Sequence, residues 1–389
     1  MARQYSAKTF LRSVPNTMLE EYFKRRGVDL GFRWDMLRET EVNPIFEAME
    51  RLDEQVRSRI DSDFSMINDL ACEGGTQAIL EDAELWNHDD WPERFSRMNN
   101  AYERAMWTFL NDPKRFQVAG CFHEMDRLGG WRRRFVGKFL QARCDEQSLA
   151  AFQKSLRIFY RRQGRGRHCH VDVYERHDPE RQCYFAYPED YASTDIGYDE
   201  RGRFQHRARR SAFEIIFVYR PEDGLLELRA RGNKRQITQL EEIFCKTILG
   251  LVQLPEDGRV PFDLAVLKDS AFSFRTAPKD RVAAVHVRAM RFDVPASPSW
   301  RIAISANAND RRPRALHELL DQAIDQSKLP ISDLHVSQAK LRFTFEPHNG
   351  ERPKSLTFEV TYPDRCTLRD DTHDQIAKKY LKEWGIARD

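Results

Sequence analysis

The chain has 389 residues, and its 63 lysines and arginines against 61 aspartates and glutamates leave a formal net charge of +2 at pH 7. Hydrophobic residues make up 41% of the chain and charged residues 32%, a composition that supports packed cores and excludes wholesale disorder and a membrane protein. At about 100–200 residues per domain, this length predicts two or three domains.

The first predicted domain, residues 1–165, is all-helical. Residues 15–26 have the pattern of a helix that begins at a proline and ends before a glycine, with Gly27 as the C-cap. Residues 44–72 carry apolar side chains at intervals of three and four, which predicts a single helix of about 28 residues. Shorter helices are predicted at 77–86, 92–110, 114–128 and 146–162.

The second predicted domain, residues 166–254, changes to the two-residue period of strands. Alternating residues predict a hairpin that is made of 168–174 and 182–187. A second pair of strands, 212–220 and 225–230, surrounds a turn and precedes a helix at 236–251. This order predicts an antiparallel sheet with the helix packed on one face.

The third predicted domain, residues 255–389, mixes both periods. The predicted strands are 262–268, 282–293, 300–306, 334–346 and 355–362, and the predicted helices are 313–326 and 372–384. The fold class is therefore predicted to be α+β, with an N-terminal all-helical region, a central antiparallel sheet with a packed helix, and a C-terminal mixed α/β region.

Charge is distributed unevenly along the chain. Residues 1–126 carry a net charge of −8 and residues 127–235 a net charge of +9, and 21 of the 24 positive residues in this middle segment are arginines. Because a guanidinium group binds phosphate through two hydrogen bonds and stacks on bases, this preference predicts a nucleic-acid partner. The alternative is that the basic segment packs against the acidic one, or against an acidic protein. The candidate nucleic-acid-binding residues are Arg132, Arg133, Arg134, Arg161, Arg162, Arg165, Arg167, Arg207, Arg209 and Arg210.

Aromatic side chains lie among these arginines and are candidates for stacking on unpaired bases. They are Phe159, Tyr160, Tyr174, Phe204 and Tyr219.

A metal site is the alternative chemistry. On a strand, His168, His170 and Asp172 lie on one face, where two imidazoles and a carboxylate can bind Zn²⁺ or another divalent cation. Ordinary alternation of a half-buried strand explains the same residues, so no cofactor is predicted. This site would make the protein a metal-dependent hydrolase, with a phosphodiester as a possible substrate.

A nuclease-like hairpin is a second metal hypothesis. It would combine Asp223 with Glu227 and Arg229, where such enzymes carry a lysine. Glu227 is instead expected to face solvent, because Leu226 and Leu228 on either side of it are expected to point inward.

The remaining sequence signals are negative. The seven cysteines form no CxxC pair, and no secretory signal or transmembrane segment is recognised, so reduced thiols and a cytoplasmic location are expected. No P-loop, GxGxxG, GxSxG or HExxH motif is present. The sequence favours a non-enzymatic nucleic-acid-binding or sensing component that acts with protein partners and without a membrane. A structural subunit of a multiprotein complex is an alternative.

Overall fold

The computed structural model of the protein describes residues 5–177, 179–199, 202–257, 261–297, 299–307, 310, 312, 314–347, 353–369 and 371–388. These residues form a mixed α+β protein with twelve α-helices and two antiparallel sheets, which confirms the predicted fold class. The chain forms two compact units. Unit 1 comprises Met1–Met125, Arg157–Cys183 and Tyr187–Phe213, and unit 2 comprises Asp126–Leu156, Tyr184–Ala186 and Glu214–Asp389. The division into three domains stays a prediction.

The helices are α1 (Ala7–Ser13), α2 (Asn16–Arg26), α3 (Val42–Glu50), α4 (Glu54–Leu70), α5 (Glu73–Leu85), α6 (Trp91–Ser96), α7 (Ala101–Asn111), α8 (Pro113–Arg127), α9 (Glu146–Arg161), α10 (Lys234–Thr247), α11 (Ala315–Ala323) and α12 (Thr372–Glu383).

The strands are β1 (Arg132–Phe135), β2 (Cys169–His177), β3 (Glu180–Tyr198), β4 (Phe204–Ala212), β5 (Ile215–Arg220), β6 (Leu225–Arg229), β7 (Val282–Asp293), β8 (Arg301–Ser305), β9 (His335–Phe345), β10 (Ser355–Thr361) and β11 (Arg365–Cys366). The first sheet has the order β1-β6-β5-β3-β2, with β4 paired to β3, and the second has the order β11-β10-β9-β7-β8.

The helical part of unit 1 confirms the predicted α2. This helix ends at Gly27, whose left-handed φ of 65° lets its amide bond back to the carbonyls of Phe23 and Lys24. The core beneath it is aromatic, and the rings of Phe10 and Phe64 stack with 4.3 Å between their centroids. The N-terminal helices therefore associate through a single buried cluster.

The predicted helix at 44–72 is wrong, because the structure has two helices, α3 and α4, in its place. The carboxylate of Asp53 accepts a hydrogen bond from the amide of Gln55, and this N-cap begins a new helix. The predicted helix at 92–110 is likewise divided into α6 and α7. Asn100 is the N-cap of α7, and its side chain accepts a hydrogen bond from the amide of Glu103. In both cases the apolar residues keep their helical spacing on either side of the capping residue, so the sequence pattern does not show where one helix ends and the next begins.

One ion pair lies inside the helical part of unit 1. Asp82 of α5 accepts a hydrogen bond from Arg115 of α8 at 3.2 Å, and both side chains are buried. The Arg115 guanidinium also lies over the ring of Trp86. Burial raises the pKa of Asp82 to about 6, although Arg115 acts in the opposite direction.

The core of unit 2 beside the first sheet is formed by four aromatic rings. Phe152 of α9 is fully buried, and its ring centroid lies 5.2 Å from that of Phe217 on β5 and 5.7 Å from that of Phe244 on α10. Tyr184 contacts both Phe152 and Phe244 edge to face. The predicted helix at 236–251 is thus α10, and it packs on the sheet as expected.

The second sheet lies wholly in unit 2, and its central strands β7 and β9 pair along ten positions with three irregularities. The predicted strand at 262–268 is wrong. Phe262 makes only an isolated bridge to Ala387, and Ala265–Lys268 is a 3₁₀ turn. The strands that the sequence failed to predict are β1, the short β11 and most of β4.

Replacing Phe152 with alanine should destabilise unit 2 by about 3–5 kcal/mol, because a buried ring is removed from among three others. Chemical denaturation followed by tryptophan fluorescence measures this cost. Ile158→Ala serves as the control, since this side chain is exposed on the same helix and should change stability by about 0.5 kcal/mol or less. Equal costs for the two variants would contradict the described core.

Asp82 should make stability depend on pH in a defined direction. Because its folded pKa of about 6 exceeds the ordinary 3.8, the folded chain holds a proton across that range that the unfolded chain releases. Ionisation of Asp82 therefore costs stability as the pH rises from about 4 to about 6, and Asp82→Asn removes this cost. Urea unfolding should show wild-type stability falling relative to the variant over this range, whereas parallel curves would contradict the prediction.

Candidate nucleic-acid interface

The first three candidate arginines lie on β1, at the edge of the first sheet in unit 2. Arg133 is directly opposite Glu227 of β6, and its Nε donates to the Glu227 carboxylate at 2.6 Å. Arg134 donates to Glu241 of α10, also at 2.6 Å. Arg132 pairs with Asp364 at 3.3 Å. Each of these guanidinium groups therefore has a carboxylate of the same unit as its partner.

The expectation that Glu227 faces solvent is wrong, because this side chain is only 6% exposed. The sequence did not predict β1, and it is β1 that places Arg133 opposite Glu227. Asp223, the other carboxylate of the nuclease-like hypothesis, forms an ion pair with Arg220. The two carboxylates of that hypothesis are thus bound to different arginines.

Three other candidates lie on a two-stranded ribbon in unit 1. The ribbon consists of the end of β3 and all of β4, which pair from Ala192 with Arg210 to Tyr198 with Phe204. Almost every described side chain along this stretch is exposed. In the described sheets β4 has β3 as its one neighbour, so its other edge is open. The sequence predicted neither the length of β3 nor this open edge.

The arginines of β4 occupy both faces of the ribbon, because side chains alternate along a strand. Arg207 and Arg209 point to one face, and Arg210 to the other. Arg209 pairs with Asp195 at 3.3 Å, and Arg210 pairs with Glu189 at 3.5 Å. These guanidinium groups remain more than half exposed, so the acids of β3 leave them open to solvent.

The last four candidates lie at the end of α9 and in the loop that follows it. Arg161, Arg162 and Arg167 are exposed. Arg165 is different, since it pairs with Asp190 at 3.1 Å and lies over the ring of Phe213. Its role is to hold the loop against the ribbon.

Glycine also fixes this loop. The amide of Gly166 donates to the carbonyl of Glu189, and a Cβ at Gly166 would lie 2.5 Å from the Cβ of Tyr160. The hydroxyl of Tyr191 donates to the carbonyl of Gln163 at 2.5 Å. The basic loop is therefore bonded to the base of the ribbon within unit 1.

The candidate stacking residues have different environments. Tyr160 and Tyr219 are buried and have no free ring face for a base, whereas Phe159 and Tyr174 are half-buried. Phe204 is 57% exposed near the end of the ribbon.

The sequence missed Tyr198, which is 71% exposed and lies opposite Phe204. The two ring centroids are 5.8 Å apart. The pairing of β3 with β4 brings the two rings together, and period-two alternation gives no sign that both are exposed.

The structure brings two of the three proposed metal ligands together. His170 and Asp172 share a face of β2, with 2.8 Å between Nε2 and Oδ1, and His168 precedes the strand. Among the described residues no group of three or more histidine, cysteine or acidic side chains is arranged to hold a metal ion. His123 lies with its Nε2 3.5 Å from the thiol of Cys72.

Comparison of the sequence with protein-family models and with curated proteins finds no match. Within the described part of the chain, no helix is both long and apolar enough to cross a bilayer.

Arg133 and Arg209 should differ in their contribution to stability. Arg133→Gln removes the cation that donates to the buried Glu227 carboxylate and should cost about 3–5 kcal/mol. Arg209→Gln breaks an exposed pair, since the Asp195 side chain is 48% exposed, and should cost less than about 1 kcal/mol. Urea denaturation of both variants tests this, and similar costs would show that the β1 arginines are not structural.

Proposed function

We propose that the protein binds nucleic acid through a surface that consists of the β3–β4 ribbon and the basic loop at its base. The observation that carries this proposal is the set of arginines exposed on these neighbouring segments of unit 1. Its members, here called the ribbon arginines, are Arg161, Arg162, Arg167, Arg207, Arg209 and Arg210.

Four ribbon arginines form no ion pair in the described residues, although Asp195 lies directly opposite Arg207 across the two strands. Within the described residues, no ion pair involves the guanidinium groups of Arg161, Arg162, Arg167 or Arg207. A solvated guanidinium group without a protein acceptor breaks no ion pair when it binds a phosphate, so the free-energy cost of binding is small. Binding also releases the counterions of that phosphate. Arg132, Arg133, Arg134 and Arg165 are omitted because their carboxylate partners already occupy them.

The shape of the ribbon suits a nucleic acid. A two-stranded ribbon is narrow enough to enter the major groove of duplex DNA, where a flat protein surface would contact only the backbone. The ring pair of Tyr198 and Phe204 adds a second type of contact, since exposed aromatic rings stack on unpaired bases. Phe204 also contacts the ring of His206 edge to face. The ribbon thus combines phosphate-binding and base-stacking groups.

The base of the ribbon gives this surface rigidity. The bonds from Gly166 to Glu189 and from Tyr191 to Gln163 attach the backbone of the loop to β3 at two points. A prearranged surface loses less conformational entropy on binding than a flexible basic tail. This favours a defined binding site over nonspecific attraction by a disordered segment.

Binding to oligonucleotides should depend steeply on salt. If all six ribbon arginines contact phosphates, affinity falls by about three orders of magnitude between 50 and 200 mM salt. Fluorescence anisotropy with labelled single-stranded DNA, duplex DNA and RNA measures this slope on the full-length protein. The triple variant Arg207→Ser, Arg209→Ser, Arg210→Ser should bind more weakly, and its slope should be flatter by about one for each phosphate that the variant no longer binds.

A matched control removes the same charge elsewhere on unit 1. Arg33, Arg94 and Arg97 are exposed and form ion pairs with neighbours in sequence, and Arg94 also lies over the ring of Trp107. Their replacement by serine removes the same charge outside the proposed surface. The proposal requires this control to bind as the wild type does. Equal weakening in both triple variants, or no binding by the wild type, would overturn it. Polyglutamate is added as a competitor for the labelled oligonucleotide. If it displaces the oligonucleotide as strongly as unlabelled nucleic acid does, the partner is an acidic protein, which is the structural-subunit alternative.

A further inference from the structure

A cavity of about 330 Å³ lies in unit 2. Its walls are the segment 267–274, the β7 residues 284–287, and the start of α11. The volume corresponds to about ten water molecules, and it lies at the lower end of the range for small-molecule sites. None of the residues that line this cavity belongs to the nucleic-acid surface that we propose.

One cation lines this cavity without a carboxylate against it. In the described residues no ion pair involves Arg314, which is the N-cap residue of α11. Arg312, two residues earlier, forms ion pairs with both Asp310 and Glu318. The local acids thus neutralise Arg312 and leave the charge of Arg314 at the cavity.

Two imidazoles lie in the same walls. His317 of α11 has its Nε2 2.9 Å from the carbonyl of Leu267, so this nitrogen carries the proton and donates it. His286 of β7 is buried, with only 9% of its surface exposed. Asp269 is the one acid among the described lining residues, and it accepts a hydrogen bond from the amide of Ala271 in its own loop. In the described lining, positive and neutral polar side chains therefore outnumber negative ones.

The remaining lining residues are apolar except for Ser270 and Ser273. Phe272 and Phe274 contact each other edge to face at 5.1 Å, and Val285 and Val287 of β7 lie in the same walls. Apolar walls with a few polar groups are typical of sites that enclose the body of a small ligand and fix its orientation. A ligand that fits this arrangement has a hydrophobic body and a single anionic group.

We propose that this cavity binds a small organic acid, with its anionic group against Arg314 and its hydrophobic body against the phenylalanine and valine side chains. A carboxylate and a phosphate monoester share this chemistry, because a guanidinium group donates two parallel hydrogen bonds to either. The charge of Arg314 determines the selectivity, and the apolar walls supply the contact area.

The test compares three probes that have the same ring, namely phenylacetate, phenyl phosphate and the neutral phenylacetamide. Isothermal titration calorimetry with the full-length protein should give saturable binding of at least one acid, with the amide bound about tenfold more weakly or worse. Tighter binding of phenyl phosphate or of phenylacetate then distinguishes the two kinds of headgroup. Arg314→Gln should weaken binding of the acid by about tenfold, while Arg312→Gln should leave it within about twofold.

Three results would overturn this proposal. They are no binding of either acid, binding of the amide as tightly as the acids, and equal effects of the two glutamine variants. Circular dichroism and the Tm of Arg314→Gln test whether the variant is folded. We expect it to be, because the side chain is exposed and forms no ion pair in the described residues. The outcome is separate from that of the oligonucleotide experiments, because Arg314 and the ribbon arginines lie on different elements.

Discussion

A guanidinium group can be withdrawn from water only when an acceptor replaces its hydration, and the edge of the first sheet depends on this constraint. Arg133 and Glu227 lie opposite each other on β1 and β6, and Arg134 extends from the same strand to Glu241 of α10. Burial raises the pKa of Glu241, while Arg134 opposes this effect and favours the charged form. Strand β1 is thus held to a neighbouring strand and to the packed helix by ion pairs in addition to its backbone bonds.

The same residue type has a different role on the ribbon. Arg207 and Arg209 lie on a strand with both faces in solvent, where the carboxylate of Asp195 is too exposed to neutralise a guanidinium fully. The ten candidate arginines therefore divide into a paired group, which consists of the β1 arginines and Arg165, and an accessible group on the ribbon and its basal loop. Only the accessible group is available to a polyanion, and this is why the proposed interface is smaller than the cluster seen in the sequence.

The sequence predicted elements best where one local signal decided the structure. Helix α2 is an example, because Gly27 ends it through a left-handed φ that the residue type favours. The prediction failed at Asp53 and Asn100, where an apolar period continues through a residue that caps a new helix. It also failed for β1, a strand of three arginines and a phenylalanine, because its pairing depends on carboxylates about a hundred residues away.

The sequence by itself determined the α+β class, most helices, the strong preference for arginine in the middle segment, and the alternation that places His170 and Asp172 on one face. These properties follow from local period and composition. Only the tertiary structure decided which arginines are paired, that Tyr198 and Phe204 are exposed together, and that Arg314 lines a cavity. The physical reason is that the charge and exposure of a side chain depend on partners distant in sequence, and periodicity carries no information about them.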